Sequence, residues 1–260
     1  MSKSIHIAVL DLYDGSTNVG MDCIMDILNE WGKQHSVDSI ITVFDVRAKN
    51  ELPKDAYDVY VSSGGPGSPI DTESLQWDID YCKWLDQMFA EKKPVLLICH
   101  SFQIASRHFG IGKVGLRKSK QLGILPIHPT TSHRIFEQLP DPFFALESRL
   151  YQITEPNDEK IESMGATIIA LEKIRPQLPY ERALMGVAFS DTMVGVQFHP
   201  EATKERLTTY FHTAAIKTAI FEDFSEEKWN QIILSLDDDS KIKHTCSNFI
   251  PNFLNQTLVI

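Results

Sequence analysis

The sequence predicts an α/β fold, doubly wound and flavodoxin-like, with a mainly parallel sheet and helices on both faces. Three observations carry this expectation. Apolar runs recur along the chain with helix-patterned segments between them, and several of the runs are continuously apolar, as strands covered on both faces are. The third is size: 260 residues, 43% of them hydrophobic, can bury a substantial core.

The elements follow in order. "IHIAVL" (5 to 10) reads as a strand and "VGMDCIMDILNEW" (19 to 31) as a helix. "SIITVFDV" (39 to 46) and "YDVYVSS" (57 to 63) read as strands, and "LQWDIDYCKWLDQMFAEK" (75 to 92) as a helix whose Trp77, Tyr81, Trp84, Leu85 and Phe89 share a core-facing stripe. Next comes "PVLLIC": Val95 to Ile98 form a short buried strand that ends on Cys99 and runs into a helix, in which Phe102, Ile104, Ala105 and Phe109 keep helical spacing until Gly110. From 113 to 198 the pattern changes to successive strands, "FFALESRLYQIT", "ATIIALE", "ALMGVAFS" and "MVGVQF", an antiparallel or mixed addition to the sheet. A helix over 203 to 221 resumes the covering layer and closes a first domain, residues 1 to 221. Residues 222 to 260 hold a short helix, "SEEKWNQIILSL", an acidic turn and the apolar tail "NFIPNFLNQTLVI". They are expected to form a helical appendage packed on that domain.

Composition narrows the function. Against 25 Lys and Arg stand 35 Asp and Glu, a formal net charge of -10, which disfavours nucleic acid as a partner. No apolar run approaches the roughly 20 residues of a membrane helix, and the N-terminus lacks the pattern of a signal peptide; no membrane role and a cytoplasmic location are expected. The four cysteines, Cys23, Cys82, Cys99 and Cys246, are scattered and form no CxxC pair, so neither a metal site nor a disulfide scaffold is expected. "GGPG" lacks the lysine and Ser/Thr of a P-loop, and no dinucleotide fingerprint follows the first strand, so no cofactor is expected.

Cys99 sits where chemistry is favoured. At a strand-to-helix junction a side chain projects from a tight turn, and the first N–H groups of the following helix favour nearby negative charge. A thiol is a strong nucleophile only as thiolate, which requires a neighbour that lowers its pKa below the free value of about 8.5. His199 is the candidate: in "GVQFHPE" (195 to 201) Pro200 biases it towards extended backbone, so His199 and Glu201 should share a face and the carboxylate can orient the imidazole. A tetrahedral intermediate also needs N–H donors at its oxyanion, each worth roughly 3 to 4 kcal/mol of barrier. "SSGGPGSP" (62 to 69) offers a loop whose glycines let backbone approach a substrate closely. The amides of Gly65 and His100 are the two candidate donors, and Gly64 is a candidate substrate contact.

Taken together, "SSGGPGSP", "LLICHSFQ" and "GVQFHPE" resemble the class I glutamine amidotransferases of the triad type, the kind of domain found in guanosine monophosphate synthetase, over roughly residues 5 to 220. The resemblance implies Cys99 as nucleophile on the glutamine side-chain amide, with His199 and Glu201 completing the triad. It implies Gln103, four residues after the nucleophile, as a substrate contact, and Ser148 in "LESRLYQI" as a remnant of the segment that holds glutamine. The reaction it implies is hydrolysis of glutamine to glutamate and ammonia through a cysteinyl thioester, with a separate synthetase or acceptor protein as possible partner, because nothing after residue 221 is long enough to activate an acceptor.

This chain has Leu97 and Ser101 at family glycine positions and Phe102 where histidine is common. A γ-glutamyl peptidase or hydrolase, with these three residues remodelling the pocket for a larger leaving group, is therefore the alternative substrate reading. The alternative from another class is a catalytically silent regulatory domain. The side chain of His100 is a further candidate base beside the cysteine.

Overall fold

Strands β1 (Ser4–Asp11), β3 (Val59–Ser62) and β4 (Val95–Ile98) are the continuous apolar runs, and in the computed structural model every residue of β3 and β4 is buried. Such strands must be covered on both faces, and they pair in parallel: Ile7 with Val59, Tyr60 with Val95, and Leu97 across to Gly195 of β9 (Met193–Val196). The structure describes residues 4–16, 18–174, 177 and 181–258. With β2 (Asp38–Asp45) at one edge, the parallel part runs β2-β1-β3-β4-β9, a flavodoxin-like order. The same sheet continues through the antiparallel strands β8 (Leu184–Ala188), β7 (Thr167–Leu171), β5 (Lys113–Pro129) and β6 (Phe143–Thr154).

Two apolar cores cover the two faces. On one, α1 (Val19–Gln34) buries Cys23, Ile24, Leu28 and Trp31 and is started by Asn18, whose side chain accepts from the Gly20 amide at 2.6 Å. Beside it lies α9 (Ile242–Thr257), which drives Phe249, Ile250, Phe253 and Leu254 into the core formed by Phe143 and Phe198; Trp31 Nε1 donates to Asn255 at 2.8 Å to join the two helices. The apolar tail read from the sequence is thus part of a main core, apart from Val259 and Ile260, which lie outside the described residues. On the other face stand the short α2 (Val46–Lys49), α3 (Gln76–Ala90), α4 (His100–His108) and α5 (Asp158–Met164).

A third, smaller core lies where the long β5–β6 hairpin meets α6 (Lys204–His212), α7 (Ala214–Asp223) and α8 (Glu226–Asp237), around Leu122, Leu146, Leu207, Phe211 and Ile232. The single helix expected over 203 to 221 is two helices. Thr213 adopts extended backbone (φ -65°, ψ 137°), ends α6 and begins α7, and its hydroxyl donates to the Tyr210 carbonyl at 2.9 Å. That break turns α7 over the carboxyl ends of the parallel strands, where open α/β sheets place their sites.

Candidate active site

The elbow after β4 is built by backbone constraint. The Cys99 amide still donates to Val196 of β9 at 2.7 Å, but its dihedrals (φ 51°, ψ -97°) leave the strand region abruptly and α4 starts at His100. A non-glycine residue in that region costs on the order of 1–3 kcal/mol and persists only where its surroundings hold it. Ser101 is the brace. Its hydroxyl accepts from the Ile98 amide at 2.8 Å and lies 3.0 Å from the carbonyls of both Ser62 and Ile98, which ties the elbow to β3.

His199 and Glu201 reach the same point from the end of β9. The His199 amide donates to Leu146 of β6 at 2.8 Å, fixing the chain, and His199 Nδ1 stands 2.8 Å from Glu201 Oε1. The Cys99 sulfur bonds the imidazole; with Nδ1 occupied by the carboxylate, the sulfur takes the Nε2 side. Burial alone would push the imidazole down, but the Glu201 carboxylate and the Cys99 sulfur outweigh it and hold His199 well above its ordinary range. Glu201 is 1% exposed and lies against the first turn of α1, where a Cβ on Gly20 would stand 3.3 Å from its Oε1. That helix N-terminus favours a carboxylate.

The glycine loop closes over this set. A Cβ on Gly64 would stand 3.0 Å from His199 Cε1 and 3.5 Å from Cys99 Cβ, and one on Gly65 would overlap the Leu12 carbonyl oxygen. Neither the Gly65 nor the His100 amide has an acceptor among the described residues. Arg47 pins the loop by donating to Pro66 at 2.5 Å and to Leu12 at 3.3 Å, and Arg107 binds the Pro69 carbonyl and the buried Asp78. The side chain of His100 turns away from the cleft. It is 1% exposed, its Nε2 has no partner among the described residues, and burial, with Arg47 and Arg107 nearby, pushes it down to about 3. A proton-accepting role for that side chain is thereby overturned.

Two clefts meet at the sulfur. The smaller, about 270 Å³, is lined by the Gly65–Ser68 loop, Cys99, Gln103, Lys120 and residues Ser148–Tyr151. The larger, about 590 Å³, shares Cys99, Gly65 and Ser148 but also holds His199, Glu201 and Tyr13 and extends along α6 and α7. Gln103 spends its amide nitrogen on Gln197 at 3.0 Å and the Tyr151 carbonyl at 3.4 Å, so what it can offer a ligand is its carbonyl oxygen. Gln197 in turn donates to the Cys99 sulfur at 3.6 Å. Leu97, Ser101 and Phe102 line neither cleft: Leu97 and Phe102 are fully buried in the α3–α4 core, where Phe102 packs against Gly195, and Ser101 is the brace described above. The expectation that these three remodel the pocket is therefore corrected.

Sequence reasoning missed Tyr13, Gln197, Arg47 and Lys120. Gln197 had a signal, since it shares strand parity with His199 and Glu201. Burial and then the Glu201 carboxylate push the Tyr13 phenol well above its usual range. Among the described residues no group of three or more His, Cys, Asp or Glu is placed to hold a metal ion, and no helix is long and apolar enough to cross a membrane.

Comparison with known proteins adds three findings. The family model described as "Glutamine amidotransferase class-I" matches residues 17–218. GMP synthase (glutamine-hydrolyzing) of Listeria innocua is 30% identical over 162 residues, 62% of this chain but 26% of that protein, so the chain spans about a quarter of such relatives. Gamma-glutamyl peptidase 5 of Arabidopsis thaliana is 24% identical over 243 residues, 92% of this chain and 88% of that protein. Among solved structures, a glutamine amidotransferase from Thermotoga maritima shares the fold, with a TM-score of 0.72 at 15% identity over 98% of this chain and 99% of that one.

Proposed function

The chain belongs to the class I glutamine amidotransferase family, and from that premise we propose that it hydrolyses the side-chain amide of glutamine through a thioester on Cys99. The observation that carries the proposal is the series Glu201, His199, Cys99, with an imidazole held protonatable between a carboxylate and a sulfur.

The thiol proton passes to His199 Nε2, and the sulfur attacks the amide carbon. The oxyanion forms beneath the Gly65 and His100 amides. His199 then protonates the departing nitrogen, the C–N bond breaks and ammonia leaves. Water attacks the thioester with His199 as base, the C–S bond breaks, and glutamate and the thiol are regenerated. Glu201 holds the imidazole in the tautomer this requires. Gln103 and Ser148 contact the glutamyl head. The ammonia passes to a separate synthetase or acceptor protein, as the name of the GMP synthase relative suggests for that protein.

A second reading keeps the triad and changes what leaves: hydrolysis of γ-glutamyl peptides. It is favoured by the match to Gamma-glutamyl peptidase 5 running nearly end to end in both chains. The test of the shared chemistry is ammonia or amine release by wild type and Cys99→Ala, with mass spectrometry for a γ-glutamyl adduct on Cys99. Release by the wild type alone, with the adduct, is expected; equal release by both proteins refutes the mechanism and favours a silent regulatory domain.

A further inference from the structure

The two clefts are not equivalent with respect to the chemistry. An acyl group held on Cys99 and the amine it loses must lie on opposite sides of the scissile bond, and the amine takes its proton from His199. His199 lines the larger cleft and not the smaller one. The smaller cleft, with Gly65, Gln103, Ser148 and Lys120, therefore receives the γ-glutamyl head, and the larger one receives what departs.

Ammonia is about the size of a water, which occupies about 30 Å³. A cleft of about 590 Å³ is far larger than that and falls within the roughly 300–1,000 Å³ of sites for small organic molecules. Beyond the triad its wall is apolar: Leu207, Tyr210 and Phe211 from α6, Ile216 and Ile220 from α7, and Phe224 just after it. This wall belongs to the third core, so it is a fixed surface. The Lys120–Asp223 ion pair, at 2.6 Å, joins the β5–β6 hairpin to α7 at the rim of the cleft.

Resting on the triad chemistry proposed above, we propose that the α6–α7 wall is a leaving-group site, and that the preferred substrates are γ-glutamyl amides whose departing amine carries a bulky apolar group, such as γ-glutamyl-phenylalanine. The sulfur attacks the γ-carbonyl carbon, the C–N bond breaks, His199 supplies the proton, and phenylalanine leaves as the free amine; water then releases glutamate. The site lies on the opposite side of the sulfur from Gln103, and Leu97, Ser101 and Phe102 take no part in it.

Two variants test the wall without touching the triad. Ala219, exposed on α7 at the cleft, becomes Trp to fill it, and Ile216 becomes Glu to make it polar. The expected result is that wild type turns over γ-glutamyl-phenylalanine with a kcat/KM at least tenfold above that for glutamine. Ala219→Trp and Ile216→Glu each lower the first value at least tenfold and change the second less than about twofold. Equal effects on both substrates, or on neither, overturn the proposal. A calorimetric titration of intact γ-glutamyl-phenylalanine into Cys99→Ala, with and without Ala219→Trp, separates this claim from the triad. Binding weakened at least tenfold by Ala219→Trp supports the cleft even if wild type hydrolyses nothing, which would refute the triad alone; binding insensitive to Ala219→Trp overturns the cleft even if Cys99 proves essential.

Discussion

Replacing His100 by leucine should make the protein more resistant to acid while leaving its chemistry in place. His100 is buried with an unpartnered Nε2 and is pushed down to about 3, against an ordinary value of 6.5, by burial and by the charges of Arg47 and Arg107. A base whose folded pKa lies below its unfolded one binds its proton in the unfolded chain first, so stability is lost as pH falls through about 6.5 and continues to be lost down to about 3. At pH 4.5 the unfolded imidazole is about two pH units below its pKa while the folded one is still neutral. At about 1.36 kcal/mol per unit, this histidine then costs about 2.7 kcal/mol that it does not cost at pH 7.5. His199 has the opposite sign. Its raised pKa contributes stability fully below about 6.5 and loses it as pH rises through the folded value, so it is constant across the acid window. Urea unfolding of wild type and His100→Leu from pH 4.5 to 7.5 reads the difference directly: the variant should gain about 2 to 3 kcal/mol relative to wild type on going to pH 4.5. Its kcat/KM should stay within a few fold, because the backbone amide at position 100 is retained. A stability difference independent of pH would mean that His100 is charged in the fold, and would restore its side chain as a candidate acid or base.

Glu201→Gln removes the charge that, with the Cys99 sulfur, holds the His199 imidazolium against burial. Because the raised pKa keeps the imidazole protonated above its ordinary range, losing the carboxylate should move the basic limb of the kcat/KM profile to lower pH and reduce its maximum by about 10²-fold or more; an unmoved basic limb in a pH–rate series would separate that limb from His199. Gly64→Ala places a methyl 3.0 Å from His199 Cε1. The ring must retreat by about 0.5 Å to reach ordinary contact, which should lower kcat by about tenfold given that a 1 Å misplacement costs about 10². An unchanged rate with an intact thermal midpoint would show that the loop moves instead.

Much of the scaffold was legible because burial on both faces leaves a simple mark. β3 and β4 read as continuous apolar runs since every residue in them is buried. β5 was not legible: "KVGLRKSKQLGILPIHP" alternates charge with glycine and proline, and its pairing with β6 shifts register between Leu116 and Gln121, so no single period runs through it. The break at Thr213 was also hidden, because threonine interrupts a helix through its own hydroxyl and leaves the apolar spacing intact. In the site, Cys99, Gly64, Gly65, His199 and Glu201 lie in short motifs and meet at one sulfur, whereas Arg47 and Tyr13 act from segments that carry no motif of their own.

That division explains why the family is easier to read than the substrate. The groups around the thioester sit at the ends of central parallel strands, where neighbours on both sides fix them to within tenths of an ångström and where few residue types fit; Gly64 and Gly65 have no room for a methyl. The wall that faces the departing group comes from the last hairpin and from α6 and α7, at the far side of the sheet, and asks only for apolar bulk. Leucine, isoleucine, tyrosine and phenylalanine satisfy that demand in many orders, so the wall leaves no signature in the chain. Chemistry and selectivity are thus carried by different parts of the sheet, and variants in α7 can alter what leaves without altering how it leaves.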